Sequence, residues 1–168
     1  MPSDNPFPAA LPAGAERVRD ALRARQADVA AAGVRLLDDS ARTAEQAAAA
    51  LGVGVAQIVK SMVFAADGVA VLVLTAGDHR VDPAKVAALL GAGRVERADP
   101  GLVRSATGYA IGGVPPVGHE RPVRTVVDVS LLRFELVWCA AGTPHAVFPV
   151  APAALIASIP AVETRDIS

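Results

Sequence analysis

The chain has 168 residues and one cysteine, Cys139. An internal disulfide and a cysteine-based metal cluster are therefore excluded. Cys139 sits in the apolar stretch Phe134 to Ala141, a setting that fits a buried, inert thiol better than a nucleophile. Histidines are also few: His79, His119 and His145 lack zinc-type spacing. Aromatic residues make up 4% of the chain against 52% hydrophobic residues overall, so the core should be aliphatic and finely packed. No basic excess exists, with 16 Lys and Arg against 17 Asp and Glu and a pI near 6.3. A dedicated nucleic-acid binder usually carries a basic excess or stripe, so DNA is not an expected partner and any RNA contact should be local and cover a terminus. The longest apolar run, Val69 to Ala76, is too short to span a bilayer. The first fifteen residues hold Pro2, Pro6, Pro8 and Pro12 without a basic start or an apolar core, unlike a secretory signal. A cytoplasmic protein with no membrane partner is expected.

What is present reads as one domain of ordinary size. Residues 1–15 form a Pro-rich arm and residues 16–168 the domain. The pattern predicts a helix from Glu16 to about Ala32, with Val18, Ala21, Leu22 and Val29 on one face and Gly33 as its stop. Val34 to Asp38 is a short strand, and Asp38 with Asp39 marks its end. Thr43 and Gln46 have capping-box spacing and open a helix that ends at Gly52. A short helical turn before Gln57 is followed by a buried strand, Ile58 to Ala65. Asp67-Gly68 predicts a tight hairpin turn and a return strand, Val69 to Thr75. Asp82-Pro83 and Asp99-Pro100 each combine an N-cap with a proline at the first helical position; between the two helices, Val95 lies in a short strand. Tyr109 to Gly118 is loop, then Arg124 to Asp128, Leu136 to Ala140 and Ala146 to Val150 are strands. A helix from Pro152 to Ile159 and an edge strand, Val162 to Asp166, complete the chain. Strands and helices mix without strict alternation. The fold class is α+β, with one mixed sheet curling around a core.

Three segments could carry chemistry. Lys60 interrupts the apolar strand and shares a face with Ile58 and Met62. It is either an edge lysine reaching water or a cation placed to hold a phosphate or a developing negative charge. The loop Gly112-Gly113-Val114-Pro115-Pro116 is either a plain turn or a stiff loop whose backbone N–H groups meet ribose, phosphate or an oxyanion. It is not a P-loop, because no Gly-Lys-Ser/Thr ending follows. In Ala140-Ala141-Gly142-Thr143-Pro144-His145, Gly142 offers an unobstructed N–H. His145 there is either a solvated side chain or a proton shuttle. Asp128 caps a turn, or orients a loop or Lys60. Neither a Gly-x-Ser-x-Gly elbow nor a Cys/His constellation occurs, so an obvious covalent triad is absent.

Gln57-Ile58-Val59-Lys60-Ser61-Met62-Val63, then Thr107 to Gly118, then Ala141 to His145, occur in an order that resembles the YbaK/prolyl-tRNA synthetase-associated editing domain family. The resemblance covers about residues 16–166. It implies an α+β fold with a mixed, barrel-like sheet and flanking helices. It also implies deacylation of mischarged tRNA, most often tRNA for proline carrying alanine, cysteine or another small residue. The family's lysine falls on Lys60, its glycine-proline loop on Gly112 to Pro116 and its later glycine loop on Gly142 to His145. Ser61 stands where relatives often carry Thr or Asn, which bears on substrate choice. The implied catalytic residues are Lys60, Gly142 and His145. The implied substrate-binding residues are Ser61, Gly112, Gly113, Val114, Pro115 and Thr143. Partners would be the acceptor CCA end of a mischarged tRNA and, as a further candidate, prolyl-tRNA synthetase. An aminoacyl ester is already activated, so a positioned water and an oxyanion donor suffice. No metal or cofactor is expected. The alternatives are a non-catalytic module that holds an aminoacyl-tRNA end or a nucleotide, or serves as an accessory to a synthetase, and a hydrolase of another small ester or aminoacyl compound.

Overall fold

Local sequence signals set most of the element boundaries. In the computed structural model, which describes residues 10–38 and 41–168, the Thr43 hydroxyl accepts from the Gln46 N–H and the Gln46 side chain returns to the Thr43 N–H. That reciprocal cap, worth about 1 kcal/mol, opens α3 (Ala44–Leu51). Asp82 and Asp99 cap α4 (Pro83–Leu90) and α5 (Pro100–Thr107), each with proline in the first turn. Asp67 and Gly68 both adopt positive φ, 48° and 83°, the conformation of a type I′ turn. They join β2 (Val59–Ala66) to β3 (Val69–Ala76) in an eight-pair antiparallel ladder.

The helix expected from Glu16 to Ala32 is two helices, α1 (Ala13–Ala24) and α2 (Asp28–Ala32). Gln26 takes a left-handed φ of 61°, a conformation helices do not contain. The break rotates the second segment, so Val29 is 90% exposed while Val18 and Leu22 are fully buried. Helix α1 begins at Ala13, inside the arm expected over residues 1–15, of which residues 1–9, like Asp39, lie outside the described residues.

The remaining strands are β1 (Arg35–Leu36), β4 (Val95–Arg97), β5 (Arg124–Asp128), β6 (Val137–Ala140), β7 (Ala146–Val150) and β8 (Val162–Arg165), and α6 (Pro152–Ser158) precedes the last of these. They form two sheets rather than the one expected. One runs β4-β2-β3-β5-β8 and the other β1-β7-β6. An isolated parallel bridge between Ile58 and Trp138 links them. The architecture is mixed α+β. Strand β3 is central and pairs antiparallel with β2 but parallel with β5. Its run of Val71 to Ala76 is buried throughout, because both faces of the large sheet are covered. Val59, Val63, Leu72, Leu74 and Val127 face a core shared with α1, β6 and β7. Phe64, Val71, Val73 and Val126 face Val86 of α4 and Ile167.

Candidate active site

The cavity that concerns function arises where a strand loses its neighbour. Strand β4 pairs with β2 only from Phe64 to Ala66, and the Ala98 N–H closes onto the Val63 carbonyl at 3.1 Å. Before Val63, no described strand pairs with that edge of β2 up to the Ile58–Trp138 bridge. Strand alternation sends the backbone groups of Ser61 the same way as those of Val63, away from β3. A cavity of about 390 Å³ fills the space beyond this edge. Its walls come from β2 (Ile58 to Val63), from Arg97, Ala98 and Val103, from the loop residues Ile111, Gly112 and Val114, from Trp138 to Ala140, and from α3 with the segment before it. This volume falls in the range of small-molecule sites.

Lys60 stands opposite Thr75 of β3, on the Met62 side of the strand. It lines the cavity and is half-buried, and its Nζ donates to the His79 carbonyl at 2.6 Å. No carboxylate of the described residues reaches it as an ion pair. An ammonium has three donors, so this one keeps capacity for an anion. Arg42 and Arg97 also line the cavity, and among the described residues no acidic side chain does. Ser61 lies on the opposite face from Lys60, with Val59 and Val63. Its Oγ is buried without a hydrogen-bond partner, as is the indole Nε1 of Trp138. Both atoms belong to residues that line the cavity, and a buried polar atom left unsatisfied costs about 1–3 kcal/mol.

The two glycine loops meet directly. A Cβ on Gly113 would stand 2.8 Å from the Thr143 backbone, so only glycine permits this approach. His119 braces the first loop from behind. Its Nε2 donates to the Pro115 carbonyl at 2.7 Å. Burial pushes its pKa below the ordinary histidine value, against the opposing pull of that hydrogen bond. Tyr109 adds a second brace through its hydroxyl, which donates to the Gly118 carbonyl at 2.8 Å.

The sequence-derived site residues therefore divide. Lys60, Ser61, Gly112 and Val114 line the cavity, and Gly113 seats their loop on Thr143. Pro115, Gly142, Thr143 and His145 do not line it, although their neighbour Pro144 does. Gly142 has a φ of 88°, and a Cβ there would meet the Gly14 carbonyl at 2.5 Å, so it is packed beneath the start of α1. The His145 carbonyl accepts from the Leu37 N–H, and its Nδ1 is buried without a partner. Cys139 lines the cavity but is fully buried, and burial raises its thiol pKa far above the ordinary value. It is no thiolate nucleophile. Among the described residues no group of three His, Cys, Asp or Glu is placed to hold a metal ion, and no helix is long and apolar enough to cross a membrane. Sequence reasoning passed over Trp138, Arg97 and the open backbone edge at Ser61. A lone tryptophan in an apolar strand was the one available signal.

Known proteins match this arrangement closely. The aminoacyl-tRNA editing domain family matches residues 38–157. A solved structure presented as a candidate trans-editing enzyme for prolyl tRNA synthetase is 42% identical, with a TM-score of 0.87, covering 95% of this chain and 99% of that one. An uncharacterized Bacillus subtilis protein, YwhH, is 34% identical over 116 residues, 68% of this chain and 73% of that protein. The proline-tRNA ligase of Bacillus licheniformis is 42% identical over 92 residues, 55% of this chain but 16% of the ligase. The chain therefore belongs to the aminoacyl-tRNA editing domain family.

Proposed function

We propose that this protein is a trans-acting hydrolase that deacylates mischarged tRNA, with tRNA for proline carrying alanine, cysteine or another small amino acid as its substrate. The carrying observation is Lys60: a half-buried ammonium with one backbone acceptor and, among the described residues, no carboxylate partner, in the wall of a cavity that the glycine-proline loop also lines. The similarity to a candidate trans-editing enzyme and to proline-tRNA ligases supports the choice of tRNA.

In this reading Lys60 binds the phosphate or ribose region of the terminal adenosine, and the Gly112 to Pro116 loop fixes the CCA end. Water attacks the ester carbonyl, whose oxygen becomes negative in the tetrahedral intermediate. A backbone N–H on an unpaired strand edge stabilises that charge without reorganising. Ser61 N–H lies on such an edge beside the cavity. Gly142 does not line the cavity, so the donor role passes to Ser61. Collapse of the intermediate breaks the ester C–O bond, and the ribose oxygen leaves with a proton. The substrate's own neighbouring hydroxyl orients the water, since His145 lies outside the cavity lining. Selection against proline is steric, set by the small apolar walls.

The test is a panel of tRNAs for proline charged with Ala, Cys, Ser, Thr or Pro. Release of a small amino acid with proline left intact supports the reading. Binding of the charged tRNA without turnover would favour a non-catalytic module.

A further inference from the structure

Behind Lys60 lies a hydrogen-bonded chain that the proposed reaction does not use. Lys60, Thr75 and Asp128 form a row across β2, β3 and β5, because Lys60 pairs with Thr75 and Leu74 pairs with Val127. Asp128 is fully buried. Its Oδ1 accepts from the Ile167 N–H at 2.9 Å, and its Oδ2 accepts from the Ser130 N–H at 3.1 Å and the Ser168 hydroxyl at 2.9 Å. Burial alone would raise its pKa, yet the donors from Ser130, Ile167 and Ser168 bring it below the ordinary value. It is therefore an ionised carboxylate and only accepts.

That fact orders the protons along the chain. The Ser168 hydroxyl has one proton and gives it to Asp128. Its other contact, His79 Nδ1 at 2.7 Å, must then be the donor, so His79 carries its proton on Nδ1. On the far side, His79 Nε2 faces Asp78 at 3.9 Å, and Arg133 holds Asp78 at 3.1 Å. The His79 N–H donates to the Ala76 carbonyl at 3.0 Å. Ring and backbone of His79 are thus fixed from both sides, and the group so fixed is the carbonyl that receives Lys60 at 2.6 Å. A staple between Asp128 and the last residues would need only the Ile167 bond. The Ser168 to His79 bond adds a connection to the lysine.

We propose that Ser168 is a positioning residue for Lys60, acting through His79, so that a residue 108 positions away in sequence sets where the cavity's ammonium sits. This inference rests on the reading of Lys60 as the anchor for the tRNA end. Two substitutions test it, Ser168→Ala and Ser168→Thr, each made alone and with Lys60→Ala. With mischarged tRNA as substrate, Ser168→Ala is expected to lower kcat/KM about fivefold, the scale of one hydrogen bond. Ser168→Thr keeps the hydroxyl and should restore the rate. In the Lys60→Ala background, Ser168→Ala should have no further effect. An equal loss in both backgrounds would overturn the proposal.

The second readout does not depend on turnover. Lys60 and Lys85 are the only lysines, so 15N-lysine labelling yields two side-chain Nζ signals. Lys85 donates to the Ser168 carbonyl and to Asp166, and so reports whether the last residues stay docked. Ser168→Ala is expected to shift the Lys60 signal and leave that of Lys85 in place. An unmoved Lys60 signal, or equal movement of both, would overturn the proposal. Failure of the wild-type protein to deacylate any tRNA would refute the proposed function, while this readout would still decide the role of Ser168.

Discussion

Replacing Gly113 with alanine tests whether contact between the two glycine loops builds the site. A Cβ at that position would lie 2.8 Å from both Cα and C of Thr143 and 3.0 Å from its N. These are backbone atoms, so no side chain can swing away. The loops must part by several tenths of an ångström. Overpacking of this kind costs about 1–3 kcal/mol. In a domain of this size each kcal/mol lowers Tm by roughly 2–4 °C, so a fall of about 2–12 °C is expected. The functional effect should be comparable in free energy, since a 10²-fold loss in rate is about 2.7 kcal/mol. Gly112 and Val114 line the cavity on either side of Gly113, and a 1 Å displacement of a positioning element costs on the order of 10²-fold in rate. Differential scanning fluorimetry and the initial rate of deacylation of alanyl-tRNA for proline measure the two effects. Wild-type Tm and rate in Gly113→Ala would refute the claim that this contact sets the loop.

The other predictions concern separate parts of the account. Ser61→Ala removes a buried, unpartnered hydroxyl, so stability should hold or rise by about 1 kcal/mol. If the hydroxyl meets substrate, kcat/KM should fall about tenfold; unchanged kinetics would remove Ser61 Oγ from the site. Arg97→Ala should weaken tRNA binding and reduce the slope of log K against log salt by about 1, because Arg97 is exposed at the cavity wall; an unchanged slope would show that it meets no phosphate. Stability should also depend on pH in two windows. The lowered pKa of His119 means that the unfolded chain binds its proton first, so that stability is complete above about pH 6.5 and declines as pH falls below it. The lowered pKa of Asp128 protects the fold above its unfolded value, and this contribution is lost as pH falls through the folded pKa. Urea titrations from pH 8 to 3 would detect both, and His119→Gln should flatten the upper window.

Signals confined to a few neighbouring residues were legible in the sequence. The Thr43 to Gln46 cap, the Asp67-Gly68 turn and the Asp-Pro helix starts each need only local chemistry, and each stands where expected. Features set by distant partners were not legible. Periodicity put Val29 on the buried face, but Gln26 breaks the helix and turns Val29 to solvent. One sheet is expected, yet the strands form two, linked by the isolated Ile58–Trp138 bridge. The short β4, which pairs with β2 only from Phe64 to Ala66, leaves the open edge and the cavity. Lys60 could be singled out because a cation in an apolar strand is conspicuous. Its acceptor, the His79 carbonyl, follows the Gly77-Asp78 turn, and a turn signal does not say which side chain its carbonyl will meet. The glycine loops were visible as loops, but the cavity takes its second wall from Arg97, Ala98 and Trp138, which only the tertiary fold brings to the edge of β2.

The central claim is that Lys60 and its cavity hydrolyse the ester of a mischarged tRNA. The most direct measurement follows release of labelled alanine from alanyl-tRNA for proline, with wild-type protein and Lys60→Ala side by side, and prolyl-tRNA as the control. The wild type should release alanine above spontaneous hydrolysis and spare prolyl-tRNA, and Lys60→Ala should lose at least roughly tenfold, as expected for removing a charged hydrogen-bond donor. Equal rates for wild type and Lys60→Ala would contradict the claim.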